Sequence, residues 1–175
     1  WGMSDEIEIP GEEAVSADND VSDRDGKLSS EALHELEIEQ EELLLIALGG
    51  REFLIRVKEV TEIIRPVDLT PVPMAPGHLL GMANIRGQIV CIIDPGKVSN
   101  LPESRLEKTD KTRFLILRHP RMHVGIWVDE VRSLHRVRSE DIPAQPDDAD
   151  RSYIRGQLVI DGQGYDVLNS EALLL

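Results

Sequence analysis

The chain has 175 residues, 41% of them hydrophobic, enough for one core or two small cores that share a wall. Its formal charge of −14 is unevenly placed: residues 1–44 carry fifteen Asp or Glu against Arg24 and Lys27, while residues 46–175 carry eighteen acids against seventeen bases. An acidic leader ahead of a balanced body disfavours nucleic acid and anionic lipid as partners, since neither part offers a basic stripe.

Met3 to Lys27 is acidic and poor in large apolar residues, so disorder is expected there. Ser29 or Ser30 can cap a short helix that carries Leu33 and Leu36 three apart; the leader is read as residues 1–42, with the helix over 30–42. Leu43 to Leu48 reads as a buried strand, Gly49-Gly50 as a turn, and Phe53, Ile55 and Val57 as one face of the next strand. Val60 to Ile64 continues as a strand or a single helical turn. Pro66, Pro71, Pro73 and Pro76 exclude regular ladders and predict a structured loop.

Leu80 to Ile85 and Gln88 to Ile93 form a hairpin around Arg86-Gly87, and Pro95 to Lys111 is a polar connection. Cys91, the only cysteine, lies in the apolar run Ile89 to Ile93, so a buried, inert thiol is expected, and one cysteine allows no internal disulfide. A second hairpin joins Arg113–Arg118 to Met122–Val128 through His119-Pro120-Arg121. Val131 to Val137 extends it, and Pro143 to Asp150 is a loop. Tyr153 to Ile160 and Tyr165 to Leu168 then enclose the turn Asp161-Gly162-Gln163-Gly164, and Asn169 or Ser170 caps a last short helix. No apolar run approaches the ~20 residues that cross a bilayer, and a cytoplasmic location is expected.

The order of these elements repeats. Ile85-Arg86-Gly87-Gln88-Ile89-Val90 returns almost unchanged as Ile154-Arg155-Gly156-Gln157-Leu158-Val159. At nearly the same offset, Leu43–Thr70 laid on Phe114–Asp141 gives six identities, Glu59 with Glu130 and Val60 with Val131 among them. Short strands with frequent turns favour closed barrels, which leave no exposed edge, and two copies predict two barrels packed together. The expected fold class is all-β.

Catalytic motifs are missing: there is no GxSxG, P-loop, HExxH or CxxC. His119 and His123 are four apart, but Pro120 prevents a helix between them, so a metal site would need a third ligand such as His135 or Asp129. Surface histidines are the simpler reading, and Asp147, Asp148 and Asp150 read as a solvated run. Neither a cofactor nor a metal is expected, and no enzyme activity.

The segment Pro71 to Val90, PVPMAPGHLLGMANIRGQIV, is the most distinctive. Together with Val60-Thr61-Glu62-Ile63, Asn84-Ile85-Arg86-Gly87, Ile93-Asp94 and Gly125-Ile126-Trp127-Val128-Asp129-Glu130-Val131, it resembles the CheW family of bacterial chemosensory adaptors over residues 43–175. Cys91 and Pro95 depart from the family pattern. The resemblance implies two five-stranded SH3-like barrels sharing a core, and a scaffold that couples the tip of methyl-accepting receptors to the regulatory domain of the histidine kinase CheA.

The resemblance further implies a receptor groove between the barrels, lined near Val60, Glu62, Asn84, Arg86 and Gly87, and kinase contact at an apolar barrel end. Glu62 and Arg86 each interrupt an apolar segment, and with Ser133 and Arg155 as their repeat counterparts only the first copy carries both charges. A side chain at Gly125 is expected to crowd the facing barrel. Two further readings stay open: an adaptor of another array, such as one controlling pilus motility, or a double-barrel module that senses a small ligand.

Overall fold

The computed structural model describes residues 39–98, 101, 107–145 and 153–174, which apart from Glu39 belong to one compact unit, Gln40–Leu175. The expected disordered leader, most of the expected 30–42 helix and the three loop aspartates lie outside the described residues. Residues 40–42 are described, and they are not helical. They open strand β1 (Gln40–Leu48), paired with a later strand through Gln40↔Arg138 to Glu42↔Arg136.

The other strands are β2 (Arg51–Arg56), β3 (Val60–Ile64), β4 (Leu79–Ile85), β5 (Gln88–Ile93), β6 (Arg113–Leu117), β7 (Val124–Val128), β8 (Glu130–Arg138), β9 (Ile154–Ile160) and β10 (Gln163–Leu168). Two one-turn helices, α1 (Pro95–Val98) and α2 (Ser170–Leu173), follow β5 and β10. The strands form two five-stranded sheets, β8-β1-β2-β10-β9 and β3-β6-β7-β5-β4, the first and second SH3-like barrels.

The two copies do not each close a barrel of their own. The first barrel takes β1 and β2 from the first copy and β8, β9 and β10 from the second; the second takes β3, β4 and β5 from the first and β6 and β7 from the second. The chain crosses between barrels at the 3-10 turn Val57–Glu59 and again at Asp129. Parallel pairs hold the copies together within each barrel: Asp166↔Phe53 in one, Ile92↔Gly125 in the other.

The match of Leu43–Thr70 with Phe114–Asp141 is a true structural correspondence. Val60↔Leu117 and Glu62↔Ile116 flank a bulge, and at the aligned positions Ile46↔Val131 and Leu45↔Ser133 flank its twin. The match of Ile85–Val90 with Ile154–Val159 is not. Ile85-Arg86-Gly87 ends β4 and enters a turn with φ 55° at Arg86 and 82° at Gly87, whereas Ile154-Arg155-Gly156 runs inside β9. The matching turn is Asp161-Gly162, with φ 50° and 81°, which joins β9 to β10 as Arg86-Gly87 joins β4 to β5. The counterpart of Arg86 is therefore Asp161, not Arg155.

Burial explains the strand patterns. Leu43, Leu45 and Leu54 point into the first barrel with Leu158 and Val167, while Leu44, Ile46, Leu48, Phe53 and Ile55 face a shared core with Val60, Leu115, Leu117, Ile126 and Val128. A strand buried on both faces has no polar side to show, hence the unbroken apolar run of β1. Val90, Ile92, Phe114 and Trp127 fill the second barrel.

The connection after β5 is less polar than expected, because Pro95, Gly96 and Leu101 are buried. Buried Asp94 accepts a 3.1 Å hydrogen bond from the Gly96 amide, and a proline at the first helical position loses no bond. Asn169 occupies the matching place before α2. The backbone bonds Asp94 N to His78 O and Asn169 N to Tyr153 O keep the same register as the Arg86 and Asp161 turns.

Candidate protein-interaction groove

β3 and β4 are the outer strands of the second barrel, and an ion pair spans the gap between them. Arg86 Nη2 lies 2.7 Å from Glu62 Oε1, with the arginine side chain 81% exposed and the glutamate 27%. Arg86 sits in the left-handed region of its turn, and Asn84 Oδ1 secures that turn by accepting the Gly87 amide at 2.9 Å. An exposed pair of this kind contributes only ~0–1 kcal/mol to stability. Its effect is to aim a guanidinium outward from a fixed point.

The pair borders a groove of about 480 Å³. Ile85, Val90 and Ile116 give it an apolar floor, and Arg118, His119, Met122 and His123 from the β6–β7 connection form the opposite rim. All of these residues belong to the second barrel, so the groove is cut into one barrel and does not run between the two. In the first barrel Ser133 and Asp161 stand where Glu62 and Arg86 stand in the second, and they cannot form a salt bridge.

Glu62, Asn84, Arg86 and Gly87 are thus brought together. Val60 and Gly125 are not at the surface. Val60 packs into the shared core, and a Cβ at Gly125 would lie 2.8 Å from both Ile116 Cδ1 and Ile92 Cδ1. Those atoms sit on β6 and β5, so the crowding is within Gly125's own sheet and not against the facing barrel. Cys91 is half-buried and lines an apolar depression with Leu79, Ile93, Val98, Val124 and Leu173.

One charged cluster escapes the sequence reading. Arg155 Nη2 and Glu59 Oε1 are 2.9 Å apart, with side chains 8% and 12% exposed, at the crossing between barrels. Burial raises the Glu59 carboxyl above its ordinary value, against the opposing pull of Arg155, a Ser170 hydrogen bond and Arg56. Beside it, Arg56 binds Glu41 through both Nε and Nη2, at 2.8 and 2.6 Å, and Lys58 adds a third contact. The Arg56 hydrogen bond holds Glu41 below its ordinary value, outweighing burial. The identity of Glu59 with Glu130 is a signal for the crossing, but the spurious match of Arg86 with Arg155 directs attention away from Arg155 as its partner.

Among the described residues no three His, Cys, Asp or Glu side chains gather closely enough to hold a metal ion. His119 instead accepts the Arg121 and Met122 amides at Nδ1, 3.1 and 3.0 Å, and His123 contacts Gln88 at 2.9 Å. No helix among the described residues is long and apolar enough to cross a membrane.

Comparison with known proteins agrees with this architecture. The chain is 33% identical over 125 residues to the chemotaxis protein CheW of Rhizobium meliloti (strain 1021), a match spanning 70% of this chain and 79% of that one. It is 33% identical over 107 residues to the chemotaxis protein CheW of Bacillus subtilis (strain 168), 61% of this chain and 67% of the relative. The crystal structure of the scaffolding protein TtCheW from Thermoanaerobacter tengcongensis superposes with a TM-score of 0.63 at 20% identity, covering 78% of this chain and 89% of that chain. The profile of the CheW-like domain matches residues 42–175, and with that the chain belongs to the CheW-like domain family.

Proposed function

We propose that this protein is a cytoplasmic adaptor that links the tip of methyl-accepting receptors to the regulatory domain of the histidine kinase CheA, recruited to the membrane only through those receptors. It is a chemotaxis scaffold by family and by its CheW relatives. The observation that carries the finer reading is the Glu62–Arg86 pair, which holds an exposed guanidinium over an apolar-floored groove while contributing little to the fold. A residue so placed is suited to contact another protein. The apolar depression beside Cys91 and Leu173 suits the second partner, the kinase.

The role needs no reaction. Two separate faces on one rigid double barrel fix the distance and angle between two partners. The test is co-sedimentation of the protein with a receptor cytoplasmic fragment and CheA, alongside thermal melts. Arg86→Ala and Glu62→Lys should both stay folded, with midpoints within a few degrees of the parent, and both should drop out of the ternary complex. Unchanged co-assembly of both variants would reject the assignment.

A further inference from the structure

The body of the protein is nearly neutral, yet one hairpin is not. Arg118-His119-Pro120-Arg121-Met122-His123, between β6 and β7, contains two arginines and two histidines and no acid. Among the described residues neither Arg118 nor Arg121 lies within ion-pair distance of a carboxylate. The arginines on the strands of the first barrel differ in this respect: Arg51, Arg56, Arg132, Arg136, Arg138 and Arg155 are all paired. Both unpaired arginines are exposed.

The hairpin is nonetheless built and not loose. Arg118 Nε donates to Lys58 O at 3.0 Å, and its amide donates to Glu59 O at 2.8 Å, which ties the start of the loop to the inter-barrel crossing. His119 accepts two loop amides at Nδ1, so its Nε2 carries the proton and is a donor. His123 is held against Gln88 on the far side of the groove. Cations that a fold positions and leaves without counter-charges face the solvent ready for a partner's anions.

Across the groove stands Arg86, its outer face exposed, with Glu62 the only carboxylate among the lining residues. We infer that the groove of the second barrel recognises an acidic protein segment, an apolar ridge seated on Ile85, Val90, Ile116 and Met122 with carboxylates flanking it towards Arg86 on one side and, on the other, towards Arg118 at the rim and exposed Arg121 beyond it in the same hairpin. The inference deepens the proposed function, on which it rests for the choice of groove, by naming the chemistry of what docks there. Arg118 and Arg121 set specificity and Glu62 positions Arg86.

The experiment uses the full chain and three defined helical peptides with one leucine ridge, flanked by glutamates, by glutamines or by lysines. The glutamate peptide should bind about tenfold tighter than the glutamine peptide at low salt, as two or three rim ion pairs allow, and that gap should close at high salt. Amide shifts should fall on Arg86, on Arg118 and His119, and on residues 121–123. The R118Q/R121Q variant, altered at two exposed positions that pair with no carboxylate among the described residues and giving up the one side-chain bond from Arg118 Nε to Lys58 O, should keep its fold and lose the discrimination while keeping the weaker, charge-independent binding.

Equal binding of the glutamate and glutamine peptides, or full discrimination in R118Q/R121Q, overturns the inference. So does preferential binding to phosphatidylglycerol vesicles over every peptide. The two readings fail separately. If E62K loses the receptor fragment but charge discrimination is absent, only the acidic-segment inference falls. If discrimination is present but no complex forms with receptor and CheA, the adaptor reading falls and the acidic docking groove stands.

Discussion

Glu59 and Glu41 belong to one charged cluster but are displaced in opposite directions, and that difference is testable. Glu41 is held below its ordinary value of 4.5, so its contribution is present above that value and is lost as pH falls through the lowered folded one. Glu59 is raised, so the folded protein takes up that proton first: its contribution is present below 4.5 and is lost as pH rises through the raised folded value. Glu41→Gln should therefore destabilise at neutral pH, with the deficit shrinking in acid, as followed by denaturant midpoints across the range. For the buried pair, removing either partner alone strands a charge. Glu59→Ala and Arg155→Ala should each cost about 3–5 kcal/mol, and the double variant well under their sum. Additive losses in that cycle would show that the two side chains are not coupled. Gly125 tests packing and not charge. With Ile116 and Ile92 each 2.8 Å from an added Cβ, Gly125→Ala should cost about 1–3 kcal/mol, and Gly125→Arg should cost more, with loss of the complex following loss of the fold.

Strands and turns were legible because their causes are local. Glycine at Gly49-Gly50, Arg86-Gly87 and Asp161-Gly162 marks hairpins, and prolines from Pro66 to Pro76 mark a loop between β3 and β4. The helical reading of residues 40–42 failed because their pairing partners, Arg136 to Arg138, lie far along the chain, and tertiary pairing overrode the cap and leucine spacing. The groove was legible in part. Resemblance supplied Glu62, Arg86 and Val60 together, but a motif does not say which of its members face solvent, and Val60 packs into the shared core; the crowding expected at Gly125 is there, against Ile116 and Ile92 of its own sheet. The shared Ile-Arg-Gly-Gln string misleads for a different reason: identity of letters is not identity of register. Register shows in the paired glycines instead. Gly81 and Gly156 hold equivalent places on β4 and β9, with φ of 154° and 155°, and an added Cβ would lie 2.9 Å from Leu69 Cβ in one case and 2.8 Å from Pro143 Cβ in the other. Gly81→Ala and Gly156→Ala should thus lower the thermal midpoint by similar amounts, each costing roughly 1–3 kcal/mol, while Gly77→Ala, with nothing within 4 Å, serves as the neutral control.

At the scale of the whole molecule, the exchange of strands between copies decides how the protein can come apart. Neither copy owns a barrel: β1 and β2 need β8, β9 and β10, and β6 and β7 need β3, β4 and β5. The shared core draws on both as well, with Phe53 and Ile55 from the first copy packed among Leu115, Ile126 and Val128 from the second. A duplication with each copy self-contained would unfold in two steps and survive division. This arrangement predicts one cooperative transition and no stable half. Residues 40–106 and 107–175 made separately should each lack the strand partners of every sheet and should be unfolded as monomers, by circular dichroism and amide dispersion. Mixed in equal amounts they should regain the β spectrum and bind one to one, because each supplies the strands the other is missing. The first half alone has one further route. Since β1 and β2 correspond to β6 and β7, two copies of residues 40–106 could pair by the same exchange, at a cost set by the side chains that differ, so any structure in that fragment should depend on its concentration. A half-chain that folds as a stable monomer at all concentrations would mean that one copy can close its strands on itself, and that the exchange between copies is not what holds the two barrels together.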